Sequence, residues 1–210
     1  DYIFKDKDRL RNLMHTFDEY VTFDDKCYNY ETFDEYYNYY VNKVYETNKN
    51  NLEAFCKKRI RNRYMNYISI TGERFKSRPE VIISNYLYTN SISYTYEKAY
   101  PKKLNDYRTY HPDFTIDNIG DNIYVEYYGL LTYTNDGKYT KDEIDAYKNS
   151  IEKKRSLHKM YGTDLIELYS DYENTTFIKE LDKQLKLRNV PRIIKSYKDI
   201  FMKLMYTATE

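Results

Sequence analysis

Three carboxylates and one lysine in the middle of the chain have the types and spacing for chemistry at a bound cation. Asp113 follows Pro112, Glu126 lies thirteen positions further on, and Glu80 precedes both. Alternation along a strand puts Asp113 and Thr115 on one face, with Phe114 and Ile116 on the other. In the run Ile123-Tyr124-Val125-Glu126-Tyr127-Tyr128, the same rule groups Tyr124, Glu126 and Tyr128. A glutamate in so apolar a strand is costly to bury unpaired. It is satisfied either by a structural cation or by converging with Asp113 on an oxygen site suited to Mg²⁺. Glu80 shares a helical face with Ile83 and Leu87, three and seven positions on. Such a carboxylate either stabilises the helix N-terminus or reaches a cation or its water shell.

The lysine comes from the segment 141–161, where Ile144, Tyr147, Ile151, His158 and Tyr161 define one face at helical spacing. Lys154 falls inside that arc and Lys153 outside it. A lysine on an inward face, opposite a sheet bearing two acids, is a candidate site residue. A second cationic cluster, Lys57, Lys58, Arg59, Arg61 and Arg63, puts five cations in seven residues. It reads either as a solvated helix face or as a phosphate contact; the acidic stretch 18–35 upstream confines any DNA-facing surface to that local run.

The elements that must position these groups are legible as a pattern. Residues 1–64 read as a helical extension, with Phe33, Tyr37, Tyr40 and Val44 as its packing stripe. Residues 67–70 alternate like a strand. Ser77-Arg78-Pro79-Glu80 is a helix start running to about 88. Strands are expected at 92–100, 111–117 and 122–128, then a helix at 141–161 ended by Gly162, and a strand at 164–169. Helices at 174–188 and 192–205 close the chain. This order is α/β with a hairpin inside it: a core over 65–190 and a C-terminal helical addition over 191–210. No internal repeat is found.

Composition narrows the function classes. The 210 residues carry a net charge of +1, which excludes a polybasic or an acidic tail. With 41% apolar and 18% aromatic residues the chain is expected to fold. The 29 tyrosines without a tryptophan fit AT-rich codon usage and are not read as a base-stacking surface. Cys27 and Cys56 suggest free thiols in a reducing, intracellular compartment. No run approaches the length of a membrane span. No signal pattern is read, and an opening Asp1 in place of Met fits a piece cut from a longer chain.

His111-Pro112-Asp113-Phe114 followed by Tyr124-Val125-Glu126 resembles the PD-(D/E)XK nuclease core, a restriction-endonuclease-like order of helix, three strands, helix and strand. The ordered set Thr71-Gly72-Glu73, Lys76-Ser77 with Glu80, Tyr94-Thr95-Tyr96-Glu97, Pro112-Asp113-Phe114, Glu126-Tyr127-Tyr128-Gly129, Lys154 with His158, and Gly162 to Glu167 resembles the nuclease-like domain of UvrD-type superfamily I helicases of the helicase IV group. The resemblance spans about 65–190. It implies Mg²⁺-dependent DNA endonuclease activity, with Mn²⁺ as a substitute. Asp113, Glu126 and the Tyr127 carbonyl would hold the ion, Glu80 would bind a second ion or its water, and Lys154 would orient the attacking water. His158, one turn on, is either a phosphate contact or a structural histidine.

Hard oxygen ligands favour Mg²⁺ or Mn²⁺ over Zn²⁺, and His15, His111 and His158 are too scattered for a zinc site. The sequence departs from the family signature at Tyr128, where a lysine is expected; Lys154 on the following helix would supply it. None of the five glycines opens a phosphate-binding loop, and Gly137-Lys138 is followed by Tyr139. A helicase motor would therefore lie outside this sequence, in the same or another chain. The competing expectation is a catalytically inactive DNA-binding or docking module of the same fold.

Overall fold

A computed structural model describes residues 33–102, 109–118, 120–129, 139–169 and 176–207. The chain divides into two units, Arg63–Lys195 and Asp1–Asn62 with Ser196–Glu210. In the second of these, helix α1 (Phe33–Asn48) leads through a short 3₁₀ turn into α2 (Leu52–Tyr64), and the chain returns as α6 (Tyr197–Tyr206). Tyr37, Tyr40 and Val44 are buried as the packing stripe expects, joined by Tyr36 and Val41. Phe201 of α6 packs on Tyr45 and Phe55 at ring distances of 5.6 and 5.5 Å. Among the described residues no helix is long and apolar enough to cross a membrane.

The larger unit is α/β, with α3 (Arg78–Thr89), β1 (Tyr94–Tyr96), β2 (Phe114–Ile116), β3 (Ile123–Tyr128), α4 (Lys141–Tyr161), β4 (Asp164–Tyr169) and α5 (Thr176–Leu187). The strands form one mixed sheet in the order β1-β2-β3-β4. The pairs β1–β2 and β2–β3 are antiparallel, while β3 and β4 run parallel with α4 as the connection between them. Alternation divides the sheet into two faces. Phe114, Ile116, Ile123, Val125, Ile166 and Leu168 join Val81, Ile83 and Leu87 of α3 and Phe177, Leu181 and Leu185 of α5 in the main core. On the other face Tyr124 and Leu165 pack with Tyr100, Tyr110 and Leu157 of α4.

Several elements are shorter than the sequence pattern suggests, each for a local reason. The expected 92–100 strand stops at Tyr96 because Glu97 adopts a left-handed backbone with φ 45°. The expected 67–70 strand contributes one isolated bridge, Ile68 to Arg74, closed through Gly72 at φ 86°. The expected 192–205 helix begins only at Tyr197, after the Ser196 N-cap. Before it, the chain is held extended because Ile193 and Lys195 amides donate to the Asn90 and Thr89 carbonyls at the end of α3, at 3.0 and 2.8 Å. Residues 174 and 175, the start of the expected 174–188 helix, and residue 119, between the strands expected at 111–117 and 122–128, lie outside the described residues, as do Cys27, His15 and Gly137.

Helix α4 has both ends fixed. Thr140 and Glu143 form a reciprocal capping box, and Gly162 closes the helix in the left-handed region at φ 61°. No atom would meet a Cβ added at Gly162 within 4 Å, so the backbone conformation alone requires glycine there. Gly162→Ala should therefore cost about 1 kcal/mol, measured as a lower urea midpoint at unchanged slope, and Gly162→Asn should cost less.

Candidate functional site

The register of the sheet lines up acidic residues. Because Phe114 pairs with Val125, the preceding residue Asp113 lies opposite Glu126. Glu126 in turn pairs with Glu167 across β3 and β4. At the other edge Tyr96 pairs with Phe114, and the Glu97 amide donates to the Asp113 carbonyl at 3.1 Å. Glu97, Asp113, Glu126 and Glu167 thus form one row across four strands. Strand alternation anticipates the meeting of Asp113 with Glu126; Glu97 and Glu167 gain a place only through strand register, which no single strand's pattern reveals.

Three of these acids have a cation. Lys76 Nζ bonds Glu97, Lys154 Nζ lies 2.6 Å from Glu126 Oε2, and Arg155 Nε lies 2.8 Å from Glu167 Oε1. Among the described residues Asp113 has no ion-pair partner. Its Oδ2 accepts the Tyr127 amide at 2.7 Å, a strand N–H that β2 has stopped short of meeting. Burial, followed by the nearby Glu126 charge, pushes the Asp113 carboxyl up to about 7 from its ordinary value of 3.8. Glu126 is 1% exposed, and burial raises its carboxyl too, against the opposing pull of Lys154 and Tyr110.

Tyr110 extends the site into a hydrogen-bonded chain that no sequence pattern marks. Its hydroxyl lies 2.6 Å from Glu126 Oε1 and 3.3 Å from His158 Nε2. A phenol has one proton, and the carboxylate can only accept it, so His158 Nε2 must be the donor to Tyr110. His158 Nδ1 is then an acceptor from Thr163 Oγ1 at 2.8 Å. Thr163 receives the Tyr100 hydroxyl at 2.7 Å. In this assignment His158 is neutral, and the Thr163 proton goes to Nδ1 at 2.8 Å in preference to the longer contact with the His158 carbonyl at 3.5 Å. Burial, with the Lys154 charge behind it, lowers the imidazole to about 4, in line with that tautomer.

The remaining candidates fall in different places. At 3% exposure His158 is a structural histidine and cannot touch a phosphate from solvent. Glu80 accepts from Lys76 N at 3.0 Å, Ser77 Oγ at 2.8 Å and Tyr96 Oη at 2.6 Å. It caps α3 as the N-terminal reading expects, and its charge still reaches Asp113. The Tyr127 ring packs on Phe177 at 5.1 Å, in the main core. Of the basic run, Arg63 is tied internally to the Ser69 and Ile70 carbonyls at 2.8 and 3.2 Å. Lys57 pairs with Glu53, and the Arg59 guanidinium lies over Phe55 at 5.7 Å. Lys58 and Arg61 are exposed.

Among the described residues no three His, Cys, Asp or Glu side chains gather as a ready metal cage. The donor set at the row is two carboxylates, Asp113 and Glu126, the first without a counter-charge among the described residues. That composition suits Mg²⁺, which keeps much of its water shell and is commonly held by one or two carboxylates with substrate phosphates. Comparison with protein-family models, curated proteins and solved structures finds no match.

Two outcomes follow from these charges. Asn at position 113 can still accept the Tyr127 amide but carries no charge, so Asp113→Asn should raise the melting temperature at pH 8 without divalent metal by at least about 4 °C. The folded-state pKa is raised, so ionisation costs stability as pH climbs from about 4 to 7; the gain should grow over that interval and vanish below it. Tyr110→Phe keeps the ring but strands Glu126 Oε1 and His158 Nε2. It should cost about 2–3 kcal/mol in denaturant unfolding.

Proposed function

We propose that this chain is a metal-dependent deoxyribonuclease of the PD-(D/E)XK type, with a restriction-endonuclease-like core formed by α3, β1 to β3, α4 and β4. The observation that carries the reading is the pairing of Asp113 opposite Glu126, with the Lys154 ammonium 2.6 Å from the second acid. The order of helix, three strands, helix and strand, with the last two strands parallel, supports it. So does the position of Lys154, which comes from the helix rather than from the strand.

Asp113 and Glu126 would hold Mg²⁺, and the Tyr127 peptide, already bonded to Asp113 through its amide, lies beside them. The ion would supply charge neutralisation at the scissile phosphate and activation of a water. The protein's own part is positional and electrostatic. Tyr110 fixes the rotation of the Glu126 carboxylate by taking Oε1. Lys154 takes Oε2 and leaves its ammonium partly exposed beside the acids, where it can meet charge developing on a phosphate. Glu80, with both oxygens engaged by α3 and Tyr96, would act through a water shell.

A second reading has one observation in its favour. Both Glu126 oxygens already have partners, so a module that only binds or docks DNA would need no ion. Cleavage of plasmid DNA with Mg²⁺, Mn²⁺ or EDTA separates the two. The nuclease should cut with either metal and stop in EDTA. Asp113→Ala and Glu126→Ala should each lose at least about 10³-fold in rate. DNA bound but never cut with either ion would establish the docking module, and equal cutting after both substitutions would exclude this site as the catalytic centre.

A further inference from the structure

A cleft of about 910 Å³ opens beside the acidic row, between the end of β1 and α4. Lys76 and His111 line one side and Asn149, Ser150, Lys153 and Lys154 the other. On α4, Ala146, Asn149, Ser150 and Lys153 recur at three- and four-residue spacing, so a single stripe of the helix forms the wall. The volume is at the upper end for one small ligand, and Lys76, Asn149, Ser150, Lys153 and Lys154 bring hydrogen-bond donors into a lining whose larger part is apolar.

The charges in the cleft are not equally committed. Lys76 is paired with Glu97, the one acid among the described lining residues, and Lys154 with Glu126. Lys153 is exposed and has no ion pair among the described residues. Its charge faces the cleft one residue from Lys154, so an anion entering toward the acids meets Lys153 first. Among the described residues the lining offers two aromatic rings, Tyr110 and the exposed His111, whose Nδ1 lies 2.8 Å from the Glu97 carbonyl. Tyr110 is buried, and Lys154 Nζ covers its ring at 5.4 Å, which leaves the cleft without a tyrosine platform for a run of unpaired bases.

We infer that this cleft seats the sugar–phosphate backbone of duplex DNA along α4 and reads its charge without reading its bases. The ligand class rests on the deoxyribonuclease reading above; the residues and the mode of recognition do not. Lys153 supplies the free cation, Asn149 and Ser150 donate to phosphate oxygens, and the scissile bond is carried toward Lys154. Contacts of this kind position a duplex but carry no sequence information.

The test is fluorescence anisotropy with the full chain in EDTA, so that binding is measured without cleavage. Two duplexes of about 20 bp and unrelated sequence should bind within about 3-fold of each other. Lys153→Glu should weaken binding about 10-fold and lower the slope of log K against log salt by about one. Lys148→Glu makes the same charge change on α4 outside the cleft, and should stay within about 2-fold of the parent. The inference is overturned if Lys153→Glu binds like the parent, if Lys148→Glu weakens binding equally, or if one duplex sequence is strongly preferred. Tighter binding of single-stranded DNA or of duplex RNA overturns it as well. Cleft binding without cleavage would remove the nuclease reading alone; cleavage with binding indifferent to Lys153 would remove this inference alone.

Discussion

One carboxylate without an ion-pair partner among the described residues, Asp113, sets the charge balance of the larger unit's sheet. The β2–β3 register sets Asp113 against Glu126, and the β3–β4 register sets Glu126 against Glu167. Four acids in a row would repel one another strongly in a half-buried sheet face. Three are balanced in place by Lys76, Lys154 and Arg155. Asp113 is given a backbone amide instead, and an amide cannot cancel a full charge. Among the described residues the row is therefore balanced except at Asp113, and its neighbour Glu97 lines the cleft with Lys76, Lys153 and Lys154.

Helix α4 is the element that makes this balance possible. Ile151 and Leu157 anchor it by burial, while three residues between 154 and 158 serve separate partners. Lys154 reaches Glu126, Arg155 reaches Glu167, and His158 joins Tyr110 and Thr163. Successive residues of a helix diverge by about 100°, so adjacent cations address adjacent strands without competing. The capping box and Gly162 fix the ends of this helix, and so fix where each of these side chains arrives. Register in the sheet and register of the helix above it are thereby one constraint.

What can be read from the sequence is whatever depends on short range. Helix 141–161 and strand 164–169 stand where hydrophobic periodicity and Gly162 place them. Alternation correctly puts Glu126 with Tyr124 and Tyr128 on the face opposite Val125. The inward arc of α4 is drawn less well: Leu157 is buried, and Tyr161, at the last turn before the cap, is 44% exposed. Long-range features are not visible in the sequence. Glu97 and Glu167 enter the row through pairing, Tyr110 reaches Glu126 from a segment with no regular pattern, and Arg63 spends its charge on carbonyls six and seven residues away. The tyrosine excess, which fits AT-rich codon usage, includes at least two rings with defined polar roles, Tyr110 and Tyr100.

Tyr128 shows why the lysine that pairs with Glu126 comes from a helix. Its side chain points to the same face as Glu126, two residues earlier, and is 1% exposed beneath α4. A lysine there would bring its ammonium into a space already crossed by the rings of Tyr147 and Tyr169, at 6.4 and 5.6 Å, and desolvation would drive it toward neutrality. Coming from α4, Lys154 meets the same carboxylate from the solvent side. Its ammonium lies over the Tyr110 and Tyr128 rings at 5.4 and 5.7 Å, a geometry in which both π faces favour the charge. The aromatic residue at 128 is thus part of the support for Lys154. Combining Tyr128→Lys with Lys154→Tyr would not be an equivalent exchange, because only position 154 has access to water.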